Sequence, residues 1–230
     1  MTRRRDLLQT LVWVCIGLTP AWLAPQWFAV PWLVMGVIFG VPALYYSWRY
    51  APWVPTPAQE LSRILGLLEL QPGDAFCDLG AGDGRMVLRV NAATGARCVG
   101  IEGSPLQYLI ARIRLAVAGN SGTNMVFGDV HACGLTEFDV LYVWGTAYWV
   151  GTPAFREHVV DSLRPGSRLV SYHYPVLGRE PDRVDRGGER PIYVYYGATV
   201  KTGTDRGGVR NVARALRHRS RCVAPERKAN

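Results

Sequence analysis

Residues 76–84, Phe-Cys-Asp-Leu-Gly-Ala-Gly-Asp-Gly, restrict the fold more than any other stretch of the chain. A short apolar run ending in Asp78 meets glycines at 80, 82 and 84 just before a helical pattern begins. The residue types spell a strand, a tight turn and a helix start. Without Cβ atoms the glycines let the backbone take positive φ and approach a ligand, while the first N–H groups of the helix point at it. The spacing is G-x-G-x-G with an acid two residues ahead, whereas the dinucleotide fingerprint runs G-x-G-x-x-G.

A second strand, Cys98-Val99-Gly100-Ile101-Glu102, ends in an acid 24 residues after Asp78. Strand ends in a βαβ unit open onto one crevice, so Glu102 is placed to accept both ribose hydroxyls of a nucleoside. A third strand, Met125 to Asp129, ends in an acid within reach of an adenine amino group. Together these features favour S-adenosylmethionine over NAD.

Strand and helix signals alternate elsewhere. Leu61, Ile64, Leu65 and Leu68 give a helix over 58–70, and Gln71-Pro72-Gly73-Asp74 turns into the first strand. A helix over 85–93 follows the glycines. Ser104-Pro105 caps another, which Gly119 stops. Phe138 to Trp144 reads as a buried fourth strand, Thr152-Pro153 opens a helix ending near Leu163, and Arg168 to Tyr174 is a fifth strand. Gly187-Gly188 and Pro191 to Tyr196 form a closing hairpin. The expected fold is α/β: a mostly parallel, seven-stranded sheet finished by an antiparallel pair, the Rossmann-like class I methyltransferase plan.

From Leu7 to Trp48 there are 42 residues without Asp, Glu, Lys or Arg, close to two bilayer crossings of ~20 residues. Pro20, Pro25 and Pro31 cluster near the middle, which predicts a transmembrane helical hairpin turning near residues 24–27. Arg3, Arg4 and Arg5 precede the segment and Arg49 follows it, so both ends are expected in the cytoplasm, with the catalytic domain facing that side of the membrane. Residues 1–49 are thus read as an anchor, 50–198 as the catalytic domain and 199–230 as a tail. Removing residues 1–48 is expected to leave cofactor affinity nearly intact.

The tail carries nine Lys or Arg in 201–230 against Asp205 and Glu226, so most of the net charge of +8 lies outside the domain. It is expected to be disordered or to meet anionic lipid, and no specific nucleic acid is expected as partner. Five scattered cysteines with no C-x-x-C pair indicate neither a disulfide framework nor a zinc site.

With these residues in view, the chain resembles the membrane-anchored lysine methyltransferases whose mitochondrial members modify the ATP synthase c-subunit and the adenine nucleotide translocase, and especially their bacterial relatives. The likeness rests on Val54-Pro55-Thr56-Pro57 with Gln59, on Asp78 to Arg85, on Gly100-Ile101-Glu102, on Gly128-Asp129, on Arg168 to Pro175, and on the apolar segment ahead of the domain. The resemblance implies cofactor contacts at Asp78, Gly80, Gly82, Glu102 and Asp129, with Thr56 and Gln59 near the methionine end. It also implies a membrane-associated protein as substrate. Gly103 departs from the Asn that many relatives carry there. The Asn-Pro-Pro-Tyr pattern of base-amine methylation is absent after the fourth strand, where Trp144 to Trp149 stands instead.

Methyl transfer from a sulfonium is an in-line displacement in which positioning and exclusion of water carry most of the acceleration. A lysine, with a reference pKa of about 10.4, must first lose its proton, and an aromatic channel favours the neutral amine. Trp144, Tyr148, Trp149, Tyr172 and His173 follow strand ends where such a channel belongs, with His173 as proton acceptor. Methylation of a lipid or quinone headgroup, or a scaffold that retains the fold without catalysis, would use the same sequence features.

Overall fold

The computed structural model describes residues 26–49 and 53–197. At the N-terminal side, α1 (Gln26–Met35), a π-helical turn (Gly36–Gly40) and α2 (Val41–Arg49) follow one another without a non-helical residue between them. Pro42 has no N–H and its ring crowds the carbonyl four residues back, which accounts for the widened turn. Among the described residues no single helix is long and apolar enough to cross a membrane. The expected hairpin is therefore not seen. Its first arm falls outside the described residues, as do Arg3–Arg5 and the basic tail, and Gln26 and Trp27, expected in the turn, are helical.

The α/β domain opens with a 3₁₀ turn (Ala58–Glu60) and α3 (Leu61–Leu68). It continues through β1 (Ala75–Leu79), α4 (Arg85–Thr94), β2 (Arg97–Glu102), α5 (Pro105–Ala118), β3 (Thr123–Phe127) and β4 (Val140–Val143). Short helix α6 (Ala147–Val150), then α7 (Pro153–Phe155) running on as a π-helical turn (Arg156–Val160), lead to β5 (Arg168–Tyr172), β6 (Arg183–Asp185) and β7 (Ile192–Tyr196). The sheet order is β3-β2-β1-β4-β5-β7-β6. The sheet is mixed: β1 to β5 pair in parallel, while β7 runs antiparallel to both β5 and β6.

Strands covered on both faces read as continuous apolar runs, and β1 and β4 are buried throughout. Alternate residues then belong to different layers. Phe76, Tyr142, Val170 and Tyr172 pack with Ile64, Leu68, Val87 and Val90 from α3 and α4. Cys77, Leu79, Leu141, Val143 and Leu169 pack with Phe155, Val159 and Val160 on the other side. Burying a side chain of this size contributes about 1.5–3 kcal/mol, so the sheet is the rigid element against which the site is built.

The far edge is held by charge. Arg63 donates to Glu60 Oε2 (2.5 Å), Asp185 Oδ1 (2.6 Å) and the carbonyls of Asp185 and Arg190, while buried Glu60 accepts the Glu189 N–H (2.9 Å). This clip fastens the β6–β7 turn to α3. A Cβ at Gly188 would run into the side chains of both Arg63 and Glu60.

Candidate active site

In register, Asp78 at the end of β1 lies between Gly100 of β2 and Tyr142 of β4. A Cβ on Gly100 would come within 2.6 Å of Ala81 Cβ and Met125 Sδ, so this glycine lets the loop after β1 settle onto β2. There the Gly80 and Ala81 N–H groups donate to the Ile101 carbonyl at 2.9 and 3.0 Å. Gly82 has a φ of 56° and donates its N–H to Glu102 Oε2 at 2.7 Å, while Ser104 N–H donates to Oε1 at 2.7 Å. Burial raises the Glu102 pKa, and the N–H groups of Ser104, Gly82 and Gly103 oppose that rise. Each carboxylate oxygen keeps lone-pair capacity for a ligand hydroxyl.

Asp78 is 4% exposed, and its pKa is pushed up to about 8, first by burial and then by the Glu102 and Asp83 carboxylates. Such a group is mostly protonated at neutral pH and ionises when a cation arrives beside it. Asp83 behaves oppositely. Burial works to raise its pKa, but hydrogen bonds from Arg85 and Arg114 outweigh that effect and lower it. Arg85 grips both oxygens, at 3.0 Å from Nε and 2.6 Å from Nη2, and Arg114 adds an ion pair plus a 2.7 Å bond to the Asp83 carbonyl. The glycine loop is thereby tied to α4 and α5.

One cleft brings together Thr56, Asp78, Gly80, Gly82, Glu102, Asp129 and Trp144, all expected from the sequence. Asp129 lies two residues beyond β3, where its Oδ1 caps the turn at Val130–Ala132 through the His131 N–H (2.9 Å). Four expected residues are placed elsewhere. Gln59 is exposed on the 3₁₀ turn, and its neighbour Glu60 is the one buried in the clip. Tyr148 is half exposed at the surface. Tyr172 is fully buried behind Trp144, edge-to-face at 5.0 Å, and does not reach the cleft. His173 has a φ of +80° and lies against Tyr174, and Arg190 donates to its Nδ1 at 2.7 Å. Burial and then Arg190 lower the His173 pKa, so the ring is neutral but its lone pair is already engaged.

Other cleft residues were given no role in a site by the sequence: Tyr46, Trp53, Ser104, Gln107 and Tyr142. Ser104 is the N-terminal cap position of α5, yet its side chain makes no capping bond. Its Oγ and the Gln107 Oε1 are buried in the cleft wall without a hydrogen-bond partner. Buried polar atoms are paired in the great majority of cases, so two orphans beside Glu102 fit a polar ligand. Their position immediately after the second-strand acid was the available signal. At the other end, Thr56 Oγ1 and Tyr142 OH lie 3.4 Å apart, and burial drives the Tyr142 pKa far up, so the phenol stays neutral. Trp149, also expected at a strand end, lines the same cleft, its ring 3.6 Å from where a Gly80 Cβ would stand. Among the described residues no His, Cys, Asp and Glu cluster is placed to hold a metal ion.

A class I fold, a glycine loop tied to a strand-end glutamate and orphaned polar atoms beside it define an S-adenosylmethionine-dependent methyltransferase. Known proteins agree. The family model described as the ANTKMT methyltransferase domain matches residues 78–183. A protein-lysine N-methyltransferase of Saccharolobus islandicus (strain REY15A) is 24% identical over 152 residues, covering 64% of this chain and 93% of that protein. The structure of an RNA methyltransferase from Salinibacter ruber with S-adenosyl-L-homocysteine is 28% identical with a TM-score of 0.59, covering 66% of this chain and 99% of the other. The cofactor is S-adenosylmethionine, and when bound it supplies an electrophilic methyl group on a sulfonium.

Proposed function

We propose that this enzyme methylates a lysine side chain of a membrane-associated protein, working from the cytoplasmic face. The observation that carries the reading is the aromatic acceptor end of the cleft, where Trp144 backed by Tyr172 stands beside the neutral pair Thr56 and Tyr142. Such a wall disfavours an ammonium by desolvation and so favours the neutral amine that can attack. The S. islandicus relative, a protein-lysine N-methyltransferase, points the same way. In α1 and the turn after it, Val30, Leu33, Val37 and Ile38 are more than half exposed, which supports contact with a bilayer.

The S. ruber relative favours a competing reading, an RNA acceptor. Purified full-length protein incubated with native membranes, total RNA and methyl-labelled cofactor separates them. Label recovered in acid hydrolysates as methyllysine is the expected result. Label that is lost to ribonuclease, or extracted with lipid, contradicts the proposal.

A further inference from the structure

We propose that α2 belongs to the cofactor site, with Tyr46 closing the nucleoside half of the cleft by packing on Gly103. The inference rests on placing the nucleoside at Glu102. A Cβ on Gly103 would lie 2.4 Å from Tyr46 Cε1 and about 3 Å from Cδ1 and Cζ, so the ring edge occupies the space a side chain would need. Gly103 is not among the glycines with positive φ, so a left-handed backbone is not what requires glycine there. Space for Tyr46 is the steric reason for glycine here. Ala43, one turn earlier, and Tyr46 line the same cleft as Glu102, Ser104, Gln107 and Asp129, and α2 packs against α5, which carries Gln107.

The arrangement places an aromatic ring beside the ribose-binding carboxylate and the two orphaned polar atoms. A flat, weakly hydrated base gains from an aromatic contact there, and the ring shields the ribose hydrogen bonds from water. The expectation that the first 48 residues are dispensable for cofactor affinity is thereby reversed. The helix leading in from the apolar segment supplies part of the binding wall, so cofactor affinity depends on α2 being docked.

Calorimetry with S-adenosylhomocysteine and 5′-methylthioadenosine on the full-length chain in detergent tests this. Tyr46→Ala is expected to weaken both ligands by roughly tenfold, and Tyr46→Phe by less than threefold, because the ring is what packs. Gly103→Ala, which adds a methyl group into the ring, is expected to weaken binding similarly in the native background. It should have little further effect when Tyr46 is already Ala. Wild-type affinity in Tyr46→Ala, with Glu102→Ala strongly impaired, overturns the role of α2 alone. Wild-type affinity in both removes the nucleoside from Glu102 as well. A loss seen with S-adenosylhomocysteine but not with 5′-methylthioadenosine also overturns the proposal, since the contact would then lie away from the nucleoside. Thermal melting of each variant identifies unfolding, and Tyr46→Phe with native affinity and native melting keeps the ring's role measurable.

Discussion

The two halves of the sheet hold their ends of the cleft in different ways. On the β1–β3 side, the cleft wall is built from backbone: N–H groups of the glycine loop and of Ser104 converge on one strand-end glutamate, and burial or ion pairs fix each carboxylate. On the β4–β7 side the cleft wall is a few aromatic side chains, Tyr142 and Trp144 with Tyr172 behind. Further out, an arginine-centred clip ties the β6–β7 turn to α3. Backbone recognition demands particular residue types at particular spacings. Aromatic lining demands only bulk in the right direction, which tertiary packing decides.

The sharpest way to break this contrast is Gly82→Val. The substitution forces a branched residue to φ 56° and puts its Cβ 2.8 Å from Trp53 Cδ1. Binding of S-adenosylhomocysteine should weaken by at least about 100-fold, from strain of order 1–3 kcal/mol plus the lost backbone approach. Near-native affinity by calorimetry would mean that the loop does not touch the cofactor. Asp83→Ala comes next. It removes the carboxylate gripped by Arg85 and Arg114, and urea unfolding should show a loss of about 2–3 kcal/mol.

Asp78→Asn probes charge rather than packing. Because the folded pKa is about 8, above the unfolded carboxylate value, Asp78 contributes stability that is full at acid pH and lost as pH rises through 8. The ligand-free wild type should melt lower at pH 8.5 than at pH 6. In Asp78→Asn that contribution to the slope should vanish, and an unchanged slope would remove Asp78 as its source. Binding of a ligand ammonium at neutral pH should also release a proton in the wild type, visible as a buffer-dependent heat. The smallest expected effect is His173→Gln, with kcat changing less than about threefold, since this ring lies outside the cleft and is engaged by Arg190. A hundredfold loss would restore His173 as the proton acceptor.

The β1–β3 half was legible because its constraints are local. Asp78, the three glycines and Glu102 each sit at a strand end or turn that the neighbouring residues identify. Asp129 was legible as a cleft acid although it lies beyond the end of β3, since a short shift of strand boundary leaves it facing the same crevice. His173 was not, because its left-handed backbone and its bond from Arg190 arise from the pairing of β5 with β7. Gln59 and Glu60 are adjacent, and the turn at Ala58–Glu60 decides which of them points inward. Tyr46 was illegible for a similar reason: its partner, Gly103, lies 57 positions along the chain, and only the docking of α2 brings them together.

The account stands on Glu102 as the group that joins glycine loop and nucleoside. Calorimetric titration of Glu102→Ala with S-adenosylhomocysteine tests it most directly. Loss of two charge-assisted hydrogen bonds should cost about 2–4 kcal/mol, weakening binding by between 30-fold and 1,000-fold while the protein still melts cooperatively. An affinity equal to that of the wild type would contradict the account.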